Sequence, residues 1–88
     1  MFIAIEHEIH DPDAFSERVE EAFPLPDDLH VHNFLPASDL SRALCLYEAP
    51  SVERVKDFVE RTLGDASTQR YYPVAEEVAI GLPARQPN

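Results

Sequence analysis

An α+β sandwich with the element order β-α-β-β-α-β is the fold class this 88-residue sequence predicts. Three observations carry it. Two stretches space their apolar residues at helical intervals. Four others alternate with the two-residue period of a strand. Proline, glycine and small polar residues punctuate the chain between them. The length fits one small domain, and 44% hydrophobic with 27% charged residues is an ordinary globular composition.

Met1 to Glu8 reads as the first strand, its apolar half leading. Asp11-Pro12-Asp13 then opens a helix: a carboxylate N-cap, proline in the first turn, and a second acid near the positive helix end. Phe15, Val19, Ala22 and Phe23 line one helix face, and Pro24 and Pro26 end it. Leu29 to Leu35 alternates as the second strand, 36–41 supplies the turn, and Arg42 to Ala49 is the third strand. Ser51 caps a second helix whose buried stripe is Val52, Val55, Phe58, Val59 and Leu63, with Gly64 at its C-terminal cap. Tyr71 to Ile80 is read as the last strand, which makes 1–80 the domain and 81–88 a flexible tail. Right-handed crossovers turn this order into a ferredoxin-like sandwich. Its antiparallel sheet runs 4-1-3-2, with both helices on one face. The other face is left open, which predicts a homodimer through it and a dimeric α+β barrel.

Charge excludes several partners. Seventeen acids against seven bases give −10. Such a field repels phosphate backbones and anionic lipid surfaces, so neither nucleic acid nor membrane is an expected partner, whereas divalent cations suit it. The single cysteine, Cys45, excludes an intrachain disulfide. With no leader and no apolar run near the ~20 residues of a membrane span, the expected location is the cytoplasm.

Hairpin register brings the chemistry together. If 36–41 closes the hairpin with Leu35 opposite Arg42, His32 faces Cys45, His30 faces Tyr47 and Phe34 faces Ala43. The aliphatic alternates, Val31, Leu44 and Leu46, then meet the helices, and the imidazoles and thiol share the open face. His7 ends the first strand. Either it, beside Ile3 and Ile5, or the carboxylate of Glu6, beside Phe2 and Ala4, turns to that side. Two imidazoles, a thiol and a carboxylate on a rigid sheet suit a divalent transition metal such as Ni²⁺ or Zn²⁺. A nucleophilic Cys45–His32 pair lacks an orienting third residue or an oxyanion hole. Phe34, Tyr47, His30 and His32 can instead line a small-molecule pocket, of the kind used by a monooxygenase, isomerase or cyclase.

The run Cys45-Leu46-Tyr47-Glu48-Ala49-Pro50, followed by an amphipathic helix and a closing strand, resembles a family of small bacterial ferredoxin-like domains of largely unknown function. One branch of that family comprises nickel-binding proteins. The resemblance covers residues 1–80, and its specific part is the six-residue run. It implies a non-enzymatic metal-binding domain that dimerises through its sheets. His7 and His32 would stand for the family's strand histidines, and Cys45 and Glu48 for the hexapeptide donors. Two further histidines of the nickel-binding pattern are replaced here by Val59 and Asp65. The expected metal ligands are thus His7, His32, Cys45, Glu48 and His30.

Overall fold

The computed structural model describes residues 1–84. Its elements are β1 (Phe2–Ile9), α1 (Pro12–Glu21), β2 (His30–Pro36), β3 (Arg42–Glu48), α2 (Val52–Leu63), a 3-10 turn (Gly64–Ala66) and β4 (Ser67–Pro73). The four strands form one antiparallel sheet in the order β2-β3-β1-β4. This is the expected 4-1-3-2 order counted from the opposite edge, and it is compatible with a ferredoxin-like fold.

Both helices begin as their sequences dictate. Asp11 Oδ1 accepts from the Ala14 amide at 3.1 Å, and Ser51 Oγ accepts from the Arg54 amide at 3.1 Å. Each satisfies one of the amides a helix start leaves without a partner. Gly64 ends α2 at φ +54°, a conformation that side-chain-bearing residues rarely adopt. Arg18 on α1 reaches across to the Leu63 carbonyl and to Asp65. One cation thereby satisfies an orphan carbonyl of α2 and ties the two helices together.

Phe15 of α1 and Val55, Val59 and Leu63 of α2 pack onto Ile3, Ile5, Cys45 and Tyr47. Period two therefore turns Ile3, Ile5, His7 and Ile9 of β1 toward the helices, and Phe2, Ala4, Glu6 and Glu8 away from them. On β3 the covered set is Ala43, Cys45 and Tyr47, while Arg42 and Leu44 face outward.

Three expectations are corrected here. The last strand is Ser67–Pro73, not Tyr71–Ile80. The apolar residues at 78 and 80 are largely exposed (Val78 76%, Ile80 101%), and the ladder stops where Val74 donates its amide to the Phe2 carbonyl. The β2–β3 hairpin is tighter than expected. Ala37 donates to the Arg42 carbonyl and Leu40 to the Ala37 carbonyl, with Leu40 at φ +60°, so Phe34 pairs with Cys45 and Leu35 with Leu44. A β-bulge between Val31 and Asn33 then displaces His32 and sets Val31 opposite Tyr47 and His30 opposite Glu48. Finally, the face carrying Cys45 and Tyr47 is the one covered by helices, and the open face carries Leu44 and Leu35. The tail expected over 81–88 lies in part outside the described residues. Among those described, 81–84 form neither helix nor strand.

Candidate binding site

The expected ligand set separates into two pairs on opposite faces of the sheet. His7 and Cys45 lie on the covered face, with His7 Nε2 and Cys45 Sγ 3.1 Å apart. His32 and Glu48 lie on the open face, with His32 Nε2 and Glu48 Oε1 3.0 Å apart. The cross-strand His32–Cys45 pairing is therefore overturned: the register sets Phe34 opposite Cys45, and the bulge turns His32 to the other side. His30 pairs in register with Glu48, but its Nε2 is buried and has no hydrogen-bond partner. Among the described residues no three His, Cys, Asp or Glu side chains converge closely enough to hold a metal ion. The five expected donors do not make one centre within one chain.

The covered pair is the better-built one. β4 places Gln69 in register with His7, and Gln69 Oε1 lies 3.2 Å from His7 Nδ1. Ser67 Oγ donates to the same oxygen, and Gln69 Nε2 donates to Glu60 Oε2 at 2.8 Å. The amide is thus oriented from both ends. His7 carries its proton on Nδ1, toward Gln69, and offers the Nε2 lone pair to the Cys45 S–H. Tyr71 donates to Glu60 Oε2 at 2.6 Å and anchors the outer end of the chain. This hydroxyl holds the Glu60 carboxyl below its ordinary value.

Burial sets the charge state of the pair. It lowers the His7 pKa, against the opposing pull of Gln69 and Glu60. It pushes the Cys45 thiol up to about 12. At neutral pH the two are imidazole and thiol, not imidazolium and thiolate. That removes the activated nucleophile a cysteine enzyme needs, and leaves a neutral donor and acceptor.

This pair stands in the wall of a cavity of about 70 Å³ between the sheet and the two helices. The rest of the lining is mainly carbon, from residues including Phe15, Val19, Val31, Val59 and Leu63. Phe15 meets the His7 ring edge-on at 5.6 Å and stacks on Phe34 at 6.1 Å. Phe23 and Phe34, 53% and 40% exposed, also line the cavity, so it reaches the surface beside them. Phe34 and Tyr47 do border a pocket, as the small-molecule reading expects. His30 and His32 do not, and their place is taken by His7 and Cys45.

On the open face the His32 and Glu48 side chains are 10% and 11% exposed, and the His32 ring rests 5.6 Å from Phe2. Leu35, Leu44 and Tyr72 are 58%, 53% and 46% exposed. No helix among the described residues is long and apolar enough to cross a membrane. Comparison with family models, curated proteins and solved structures finds no match to this chain.

Proposed function

We propose that this domain binds a small, mainly apolar molecule in the cavity between its sheet and its helices. The observation that carries the reading is a carbon-lined space that opens beside Phe23 and Phe34 and has one hydrogen-bonded polar pair, His7–Cys45, in its wall. Such a combination, apolar walls with few and well-placed polar groups, is what small-molecule sites share. At about 70 Å³ the space is smaller than the roughly 150 Å³ engineered cavity that takes up benzene. The occupant therefore extends into the mouth, against the two exposed phenylalanine rings.

Titrating the ¹⁵N- and methyl-labelled protein with ethylbenzene tests this. Saturable shifts are expected at Val19, Val31, Val59 and Leu63, and none in a folded Val31→Phe variant whose added ring fills the space. Shifts that stay linear until the buffer is saturated with ethylbenzene would remove the reading.

A second reading, a divalent transition-metal binder (Ni²⁺ or Zn²⁺), draws on the His32–Glu48 pair. Two oxygen and nitrogen donors sit together on the open sheet face, beside exposed Leu35 and Leu44. A homodimer through that face would bring a second such pair and supply the donors one chain lacks. The expected result is one metal per two chains by calorimetry, with dimer mass in sedimentation, and loss of both heat and dimer shift in His32→Ala. Binding that survives His32→Ala but disappears in Cys45→Ala would place the metal on the covered face instead.

A further inference from the structure

Resting on the small-molecule reading, we propose that the occupant carries a neutral carbonyl oxygen and that the Tyr47 hydroxyl donates a hydrogen bond to it. Tyr47 projects from β3 into the cavity wall and is 8% exposed. Its hydroxyl makes no hydrogen bond to any described residue, whereas the other polar groups bordering the cavity are engaged. His7 is held by Gln69 and Cys45, and Thr62 Oγ1 donates to the Phe58 carbonyl at 2.7 Å. The hydroxyl keeps a little solvent contact and has no acceptor among the described residues, so a ligand that enters beside it gains most by bringing an acceptor in place of water.

The chemistry of that acceptor follows from its surroundings. Among the described residues no lysine or arginine lines the cavity, so a carboxylate or phosphate entering it would be a charge without a counter-charge there. A ketone, aldehyde or ester oxygen accepts from a phenol at no such cost. Burial, and then the Cys45 thiol beside it, push the Tyr47 phenol up to about 12, so it remains a donor throughout the neutral range. The His7–Cys45 pair satisfies itself and makes no competing demand on the ligand.

Acetophenone and ethylbenzene have nearly the same shape and differ at the oxygen, which makes them the probe pair. In NMR titrations of the whole chain, acetophenone is expected to bind about five- to tenfold more tightly than ethylbenzene, the ratio one net hydrogen bond confers. In Tyr47→Phe the preference disappears while ethylbenzene affinity is unchanged. The hydroxyl has no bond to lose, so that variant should keep its thermal midpoint. A readout without any variant is the infrared band of ¹³C-carbonyl acetophenone, which shifts to lower frequency on binding if the oxygen accepts a hydrogen bond. Equal affinity for the two probes, a preference that survives Tyr47→Phe, or an unshifted carbonyl band overturns the inference and leaves the cavity reading standing. Failure of both probes to bind removes the cavity reading and the inference with it.

Discussion

Replacing Ile5 by alanine is expected to cost about 2–5 kcal/mol and to lower the thermal midpoint by roughly 10 °C or more. Ile5 is 0% exposed at the middle of β1, a central strand of the sheet. Cys45 flanks it on one side and Tyr71 on the other, and the helices lie above it. Removing three carbons there loses their transfer free energy and enlarges the void already present between sheet and helices. The surrounding backbone is locked by ladders on both edges and collapses poorly around the gap. A chain of 88 residues has little reserve against such a loss. Leu44→Ala, one strand over on the opposite face, is the matched control. Leu44 is 53% exposed, so its truncation should stay within about 0.5 kcal/mol in dilute monomer. Urea melts of the two variants at low protein concentration decide between the faces. A loss at Leu44 as large as that at Ile5, and independent of concentration, would show that the sheet presents the wrong side to the helices.

That assignment of faces is where sequence reasoning reached its limit. The order of elements and the strand order were legible because helix caps and breakers are local signals. Asp11, Pro12, Ser51 and Gly64 act through their own backbone neighbours. The covered side of β3 was not legible, because both of its faces are apolar. Leu44 and Leu46 look more hydrophobic than Ala43 and Cys45, yet the smaller pair lies beneath the helices, in one buried cluster with Phe15. Alternation marks two faces without saying which one is covered. The bulge at His32 has no signature of its own in the sequence, and one extra residue was enough to part His32 from Cys45. Gln69 was missed for a different reason. Its strand, Ser67–Pro73, is largely polar in its first half, and the exposed apolar residues near 78–80 drew the strand away from it. Placed at 67–73, β4 sets Gln69 opposite His7, and the packing of α2 then brings Glu60 to the Gln69 amide.

Acidification should weaken this fold as soon as the pH falls below 6.5, and His7 is the reason. Its pKa in the folded protein lies below the ordinary value of 6.5, because burial disfavours the charged ring more than Gln69 and Glu60 favour it. Between the lowered value and 6.5 the unfolded chain therefore binds more protons at this position than the folded chain does. Unfolding is drawn forward by protons, so stability is full above pH 6.5 and declines as the pH falls below it. The slope approaches, at most, about 1.4 kcal/mol per pH unit. The carboxylates act in a lower window. Asp28, paired with Arg54, and Asp65, paired with Arg18, are held below their ordinary values, so their contribution is kept until the pH falls below the usual carboxylate range. Cys45 has the opposite sense. Its folded value is raised above the ordinary 9.0 to about 12, so its contribution is intact below pH 9.0 and is lost as the pH rises from there to about 12. The three windows do not overlap, and a variant at position 7 separates His7 from the other three histidines. Urea midpoints measured from pH 8 to pH 5 should fall below pH 6.5 in the parent chain. In His7→Leu the overall stability is lower, because Cys45 and Gln69 lose their shared partner, but the decline across that window should flatten. A His7→Leu profile that keeps the parent's slope would assign the acid sensitivity to another group and remove the neutral imidazole from the cavity wall.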